Sequence, residues 1–157
     1  SGTDEIPPSI FKQVKDILVQ LVRNSVYHGI EKPEERKKLN KKADGKIAIK
    51  TQKENGKLII KYKDDGSGLD SEKIKNTALA KKIITEAETS TLSEKDIYAL
   101  VFRPDFSTSD SVNKTAGRGV GMSLVKTLIT GLKGKIALRS KRGESLEFEI
   151  HIPIEAK

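Results

Sequence analysis

Residues suited to binding phosphate groups and a purine base fall in three short segments that lie far apart in the chain. Residues 24–29 read Asn-Ser-Val-Tyr-His-Gly, residues 64–68 read Asp-Asp-Gly-Ser-Gly, and residues 117–121 read Gly-Arg-Gly-Val-Gly. The first segment places an amide and an imidazole four residues apart, and therefore on one face of a helix. The second offers a carboxylate beside glycines, and the third is a glycine loop before a predicted helix N-terminus, which favours anions. Together they predict a nucleotide site.

The first segment has two interpretations. Polar residues at this spacing, here Asn24 and His28, are typical of the solvated side of an amphipathic helix. In the functional interpretation, the side-chain oxygen of Asn24 is a ligand of Mg²⁺, which prefers oxygen donors and keeps water and phosphate ligands. His28 would lie near the same phosphates, whereas a general-base role for it requires geometry that a sequence does not give. Gln20, one turn earlier, extends the row of Asn24 and His28.

The second segment begins where a predicted strand ends. Because Asp-Gly is common in turns, Asp64 is in one interpretation an ordinary turn carboxylate. In the other, Asp64 accepts a hydrogen bond from the exocyclic amine of a purine, and Gly66 and Gly68 leave room for the flat ring. The side chain of Asp65 points the opposite way from that of Asp64, and we interpret Asp65 as structural.

The third segment matches neither of the two common glycine-rich phosphate motifs. A Walker A loop is excluded because no Gly-Lys-Ser/Thr follows, and the Rossmann fingerprint fails because Met122 stands where a glycine is needed. A flexible loop with a helix cap is one interpretation of residues 117–121. The other is a nest of N–H donors for a polyphosphate, with Arg118 or Lys114 adding positive charge.

The net charge of +8 and the pI near 9.5 raise nucleic-acid binding as a rival function. However, Lys and Arg are spread along the chain, and aromatic residues make up only 4%, which leaves little material for stacking bases. The densest basic stretch, residues 32–46, is interrupted by acidic residues and a proline, and we interpret it as a solvated helix and loop. We therefore predict no nucleic-acid partner.

Length and hydropathy indicate one soluble domain. A chain of 157 residues is long enough to bury a substantial core. Mean hydropathy is −0.49, and no apolar run approaches the ~18 residues of a membrane span. The absence of cysteine excludes disulfides and thiolate chemistry. We predict a cytoplasmic protein without direct membrane insertion.

Hydrophobic periodicity and turn residues predict an α+β fold in which a mixed sheet is covered on one face by helices. Residues 103–117 form the longest stretch without periodicity, which is typical of a functional or disordered loop. The predicted elements are a helix from an N-cap at Ser9 to Gly29, a short exposed helix within 31–42, strands 46–51 and 57–63 around an Asn55-Gly56 turn, helix 72–82 capped by Ser71, a helix from Ser93 to about 102, helix 119–131, and strands 135–140 and 146–152.

These motifs, in this order, resemble the ATP-binding domain shared by histidine kinases, type II topoisomerases, Hsp90 and MutL. The likeness is greatest to the catalytic domain of the CheA family of chemotaxis sensor kinases. Residues 23–36 resemble the N box and its trailing segment, 64–68 the first glycine box, 92–108 the stretch before the lid, and 117–122 the second glycine box. The resemblance implies one domain over residues 1–157, a two-layer α/β sandwich of the GHKL (Bergerat) type, with a mobile lid at about 103–117.

The resemblance also implies a function. The cofactors would be ATP and Mg²⁺, and the γ-phosphoryl group would pass to a histidine on a separate phosphotransfer domain. Other domains would reach a chemoreceptor and a coupling protein. The implied catalytic residues are Gln20, Asn24 and His28, with Asn24 as the metal ligand. The implied nucleotide-binding residues are Asn24, Asp64, Gly66, Gly68, Gly117, Arg118, Gly119, Val120, Gly121 and Met122.

Two positions depart from the family pattern. Gln20 stands where related kinases carry His or Glu, and glutamine cannot accept a proton as a base. Leu146 stands where the family has a threonine whose hydroxyl helps hold adenine through water, unless Ser145 supplies that hydroxyl instead. We therefore expect weak kinase activity, and the alternative function is a nucleotide-binding regulatory module. An anti-sigma-type serine kinase also has an N box ending Asn-x-x-x-His-Gly, but residues 33–36 and the stretch before the lid disfavour it.

Overall fold

The structure is a computed structural model that describes residues 6–106 and 121–154. Most of the predicted lid lies outside the described residues. So do four of the residues predicted to bind phosphate, namely Gly117, Arg118, Gly119 and Val120.

The longest helix forms where the sequence has apolar residues at helical spacing. Helix α1 spans Phe11–Asn24 and continues directly into a π-helical turn, Ser25–Gly29, so the helix ends at Gly29 as predicted. Three α1 side chains are almost completely buried, and these are Val14, Ile17 and Leu21.

Two of the predicted helix caps are wrong. Ser9 lies inside a 3₁₀ turn, Pro8–Ile10, because a proline at the first position fixes a helical φ before the α-helix begins. Ser71 is the first residue of helix α3, Ser71–Ala80, and Asp70 is its cap. The Asp70 carboxylate accepts hydrogen bonds of 3.0 and 3.2 Å from the second and third N–H groups of the helix. Adjacent Asp and Ser are comparable cap residues, so the sequence left the choice open.

Four strands form the sheet, in the order β1-β2-β4-β3. Every pair of neighbours is antiparallel, so the mixed sheet that we expected is antiparallel throughout the described strands. Short turns dictate this direction within each hairpin, whereas the direction of β4 against β2 depends on the intervening helices. Asn55 and Gly56 both have positive φ, 51° and 76°, which confirms the predicted two-residue hairpin. The strands are β1 (Ile47–Glu54), β2 (Lys57–Asp64), β3 (Lys135–Lys141) and β4 (Ser145–Pro153).

Several short helices complete the described part of the chain. The predicted cap at Ser93 is confirmed, since Ser93 and Asp96 form a capping box. A four-residue helix capped by Thr85 was not predicted. These helices are α2 (Pro33–Lys38), α4 (Glu86–Thr89), α5 (Glu94–Ala99) with the 3₁₀ turn Leu100–Phe102, and α6 (Gly121–Gly131).

The main core lies between one face of the sheet and helices α1 and α6. Alternation along β2 and β4 turns apolar side chains toward the helices and charged side chains to the opposite face. This arrangement confirms the predicted two-layer α+β fold with helices on one face. Among the described helices, none is both long and apolar enough to cross a membrane. The buried core residues of the sheet are Leu58, Ile60, Tyr62, Phe148, Ile150 and Ile152, and those of α6 are Val125 and Ile129.

Candidate nucleotide-binding site

A cavity of about 270 Å³ opens where the end of α1, the end of β2, the start of β4 and the start of α6 meet. It brings together residues of the first and second predicted segments with Met122, which follows the third. Its polar lining includes Asn24, Ser25, His28 and Asp64. The rest of the lining is formed by Leu21, Gly29, Gly68, Leu69, Val101, Phe106, Met122, Leu138, Leu146 and Phe148.

Asp64 is the buried carboxylate of this cavity, with only 1% of its surface exposed. Its Oδ1 accepts a hydrogen bond of 2.9 Å from the Gly66 N–H, and its Oδ2 accepts one of 2.5 Å from the Ser25 hydroxyl. An ionised carboxylate offers about four acceptor positions, so two protein donors leave acceptor capacity on both oxygens. A ligand that enters the cavity therefore meets a fixed acceptor.

The Ser25 hydroxyl is itself held by a tyrosine. Its Oγ lies 2.6 Å from the Tyr62 hydroxyl, which also lies 3.0 Å from the Leu21 carbonyl oxygen. The single Ser25 proton is directed at Asp64, so the single Tyr62 proton is shared between the Leu21 carbonyl oxygen and the Ser25 oxygen. Burial, together with the nearby charge of Asp64, raises the pKa of Tyr62 and keeps this donor protonated. The relay from Tyr62 through Ser25 thus orients the Asp64 carboxylate.

Sequence reasoning missed both members of this relay. Ser25 directly follows Asn24 in the first segment, and Tyr62 precedes Asp64 by two residues on the same face of β2. The signal in the sequence was a hydroxyl-bearing residue beside each predicted site residue, which indicates possible hydrogen-bond partners for Asp64.

The two glycines of the second segment have different roles. A Cβ at Gly66 would lie 2.2 Å from the Gly29 carbonyl oxygen, and the Ser67 N–H donates to that same oxygen at 2.8 Å. The space where a Gly66 side chain would stand is therefore filled by the end of the first helix, and a role of Gly66 in making room for a base stays a prediction. Gly68 does line the cavity, and its φ of +72° favours glycine.

The π-helical turn places the polar residues of the first segment. A π turn contains more residues than an α turn, and such turns are frequent at functional sites. Asn24 directly precedes the π-helical turn and His28 lies within it. Both line the cavity, and the His28 side chain is exposed. Gln20 lies instead against the start of α6. A Cβ at Gly121 would be 3.4 Å from its Oε1 and 3.2 Å from the Asn24 Nδ2, so the first and third segments meet here.

The amide group of Asn24 has a defined orientation. Its Nδ2 donates to the Gln20 carbonyl oxygen at 3.0 Å and contacts the Met122 sulfur at 3.2 Å. This leaves Oδ1 as the atom able to ligate a cation, which fits the predicted metal role. Within residues 6–106 and 121–154, no group of three or more His, Asp or Glu side chains is placed to hold a metal ion. A cation here would therefore depend on phosphate oxygens and water beside Asn24.

Leu146, one of the two departures from the family pattern, lies at the cavity. It pairs with Asp64 across the β2–β4 ladder and lines the cavity. Ser145 precedes it in an extended strand, so its side chain faces the other side of the sheet, where it lines a separate open groove with Lys63 and Glu147. Ser145 is not among the residues that line the cavity, and its role in holding adenine stays a prediction.

Beside the cavity lies an ionic cluster, which we define as Glu31, Arg36, Lys41 and Asp65; the Asp65 side chain is 41% exposed and the others are largely buried. Arg36 is only 1% exposed, so the solvated interpretation of residues 32–46 is wrong for this residue. Its guanidinium donates to Glu31 Oε1 at 2.9 Å, to Asp65 Oδ2 at 3.0 Å and to the Lys42 carbonyl oxygen at 2.6 Å. The planar guanidinium has donors for all three directions, which explains an arginine at this position.

Lys41 completes the ionic cluster. Its ammonium donates to Glu31 Oε2 at 2.7 Å and to the carbonyl oxygens of Asp65 and Gly66 at 3.0 and 3.1 Å. Asp65 in turn accepts from the Lys46 N–H at 2.8 Å, so its predicted structural role is confirmed. The signal in the sequence was the mixture of acidic and basic residues around Pro33, which we interpreted as solvation.

Two opposing effects act on the carboxylates of the ionic cluster. Burial disfavours ionisation of Glu31, but the Lys41 hydrogen bond and the charges of Lys41 and Arg36 lower its pKa below the ordinary value. Burial likewise opposes ionisation of Asp65, yet bonds from the Lys46 N–H and Arg36 lower its pKa. Both side chains are therefore carboxylates at neutral pH.

Residues 12–156 match the profile of the family described as Histidine kinase-, DNA gyrase B-, and HSP90-like ATPase. The chain belongs to this ATPase family, as its motifs predicted. Chemotaxis protein CheA of Bacillus subtilis is 39% identical over 96% of this chain and 22% of that protein. Sensor histidine kinase CheAY of Helicobacter pylori is 40% identical over 96% of this chain and 19% of that protein. These relatives confirm the predicted similarity to CheA-type histidine kinases.

The chain spans about a fifth of the length of these two curated relatives. A solved structure of the catalytic domain of histidine kinase ThkA, in a nucleotide-free form, covers 91% of this chain and 67% of its own, with 23% identity and a TM-score of 0.53. At this identity the likeness concerns the fold, and it confirms the predicted histidine kinase type of α/β sandwich.

Proposed function

We propose that this chain is the ATP-binding catalytic module of a CheA-like sensor histidine kinase. It would transfer the γ-phosphoryl group of ATP to a histidine on a separate phosphotransfer domain. In that step the bond from the γ-phosphorus to the bridging oxygen breaks, a bond to the histidine ring nitrogen forms, and ADP leaves. The observation that carries the proposal is the cavity in which Asp64, Asn24 and His28 meet.

The base would bind at Asp64. The amine of adenine is a donor, and Asp64 retains acceptor capacity on both carboxylate oxygens after its bonds to Ser25 and Gly66. Apolar side chains along the same cavity suit the faces of a purine ring. These side chains are Val101, Phe106, Leu146 and Phe148.

The phosphates would lie toward Asn24 and His28. Asn24 Oδ1 would ligate Mg²⁺, and His28 would donate a hydrogen bond to a phosphate oxygen from its exposed position. Bound Mg²⁺ would supply charge neutralisation on the phosphate oxygens. The residues of the second glycine box, 117–122, would add N–H donors. A chemotaxis role, with a chemoreceptor and a coupling protein contacted through other domains, belongs to the same proposal and is supported by the names of the relatives. The cytoplasmic location stays a prediction.

The metal role of Asn24 is tested by Asn24→Ala. We expect Mg²⁺ to tighten the binding of a non-hydrolysable ATP analogue to the wild-type protein, and the substitution to remove that gain, roughly tenfold or more. Binding of adenosine should be unchanged, because Asn24 and Asp64 have separate hydrogen-bond partners. Calorimetric titration with and without Mg²⁺ measures both quantities.

Asn76→Ala is the matched control, since Asn76 is exposed on α3 and should leave the Mg²⁺ effect intact. A metal dependence that persists in Asn24→Ala would return Asn24 to the solvated face of its helix and remove the metal site from the proposal.

A second function, a nucleotide-binding regulatory module with little kinase activity, is favoured by Gln20. Its side-chain oxygen lies near Gly121 and Asn24, at the start of α6, and by the family resemblance a base would stand at this position. A neutral amide cannot accept the proton of the attacking imidazole. Nucleotide binding would then be retained while transfer is slow.

Gln20→His separates the two functions. When ATP and a histidine phosphotransfer domain are supplied, we expect slow transfer by the wild type and a faster rate for Gln20→His. General-base assistance is worth about 10²–10⁴ in rate. ADP affinity should change little, because Gln20 does not line the cavity wall formed with Asp64. A rapid wild-type rate that falls in Gln20→His would show that residue 20 is not a base site and would disfavour the regulatory function.

A further inference from the structure

We infer that the ionic cluster of Glu31, Arg36, Lys41 and Asp65 positions the base-binding carboxylate of Asp64. Arg36 and Lys41 would then be positioning residues for nucleotide recognition, although neither lines the cavity. The inference rests on the proposed role of Asp64 in binding the base.

The connection is made through the peptide groups of the turn after β2. Lys41 Nζ donates to the carbonyl oxygens of Asp65 and Gly66 at 3.0 and 3.1 Å, and Arg36 donates to the Asp65 carbonyl oxygen at 3.2 Å. The N–H of Gly66 belongs to the same pair of peptides and donates to Asp64 Oδ1 at 2.9 Å. Because a peptide group is planar, fixing the Asp65 carbonyl oxygen fixes the direction of the Gly66 N–H.

The carboxylate is therefore held from two sides. The Ser25 hydroxyl fixes Oδ2 from the first helix, and the ionic cluster fixes Oδ1 through the Gly66 N–H. If one side were released, Asp64 could rotate about χ2, and its free lone pairs would no longer face the cavity at one angle. Charged hydrogen bonds in a site with little solvent are stronger than exposed ones, so the ionic cluster is suited to this role.

Lys41→Met tests the inference, because it removes both carbonyl contacts while Arg36 stays in place. We expect ADP affinity to fall by about 2- to 150-fold, the range that coupling energies between neighbouring residues typically span. The affinity for inorganic tripolyphosphate, which has no base, should be unchanged. In an Asp64→Asn background Lys41→Met should add little further loss, since the positioned group is already gone.

Two variants control for charge and packing. Lys42→Met removes the same charge one residue further on, from an exposed side chain outside the ionic cluster, and should bind ADP like the wild type. Lys41→Arg keeps the charge and should recover most of the affinity. If Lys41→Met does not fold, Glu31→Asp shortens the reach to Lys41 and should lower ADP affinity in the same selective way.

Amide hydrogen exchange tests the positioning without nucleotide. Lys41→Met should speed exchange of the Gly66 N–H about tenfold or more relative to the N–H of Ile60 in the core of β2. The substitution removes two hydrogen bonds that hold the turn, so the turn should open locally more often while β2 stays folded. Equal acceleration at both amides, equal losses for ADP and tripolyphosphate, or an undiminished effect in the Asp64→Asn background would overturn the inference. A wild-type protein that binds no ADP would refute the proposed function instead, while the Gly66 exchange would still decide the positioning.

Discussion

Asp64→Asn should weaken the binding of ADP and ATP strongly while leaving the folded state nearly as stable. The amide can keep its carbonyl oxygen toward the Gly66 N–H and place its NH₂ group toward Ser25. The Ser25 hydroxyl can then accept from Asn and turn its own proton toward Tyr62, whose proton goes to the Leu21 carbonyl oxygen. The local hydrogen bonds are thus satisfied again, but a donor faces the cavity where the carboxylate presented an acceptor.

The adenine amine would then meet a second donor. An unsatisfied buried donor costs about 1–3 kcal/mol, which corresponds to roughly 5- to 150-fold in Kd. Titration calorimetry with ADP measures the loss, and thermal unfolding checks the stability. Tripolyphosphate should bind both proteins alike, and Asp44→Asn, at an exposed loop position, should behave as the wild type. ADP affinity that is unchanged in Asp64→Asn would remove Asp64 from base recognition.

The elements that carry the site could be predicted from sequence because their signals are local. Apolar residues at helical spacing predicted α1, and the Asn55-Gly56 turn predicted the β1–β2 hairpin. Motif order predicted that Asn24 and Asp64 share a site, and the cavity brings them together. Such signals depend on neighbours in the chain, which the sequence displays directly.

The contacts that hold Asp64 in place could not be predicted, because they join residues far apart in sequence. Ser25 and Tyr62 are separated by 37 positions, and their partnership is visible only when α1 packs on β2. We interpreted Gly66 as leaving room for a ligand, whereas the space where its side chain would stand is filled by Gly29 of the same chain. A basic stretch is usually solvated, but Arg36 within residues 32–46 is buried. Composition does not show which charged side chain faces inward.

Arg36→Met should be among the most destabilising single substitutions in the described part of this chain. It leaves Glu31, whose side chain is 9% exposed, with Lys41 alone, and it removes the donor to the Lys42 carbonyl oxygen. Removing one partner of a buried ion pair typically costs about 3–5 kcal/mol, a large share of the roughly 5–15 kcal/mol that stabilise a domain. Urea unfolding followed by circular dichroism measures the change in the free energy of unfolding.

Arg103→Met is the control for Arg36→Met, since Arg103 pairs with Asp105 at the same 2.9 Å but both side chains are about half exposed. Water screens that pair, so its loss should change the unfolding midpoint little.

The loss of stability in Arg36→Met should also depend on pH. Because the ionic cluster lowers the pKa of Glu31 and of Asp65, its contribution is complete above the ordinary carboxyl pKa of about 4 and is lost as pH falls below it. The stability difference between wild type and Arg36→Met should therefore narrow on acidification. A difference that stays constant down to pH values of about 3 would assign the loss to packing around the arginine stem instead of its ion pairs.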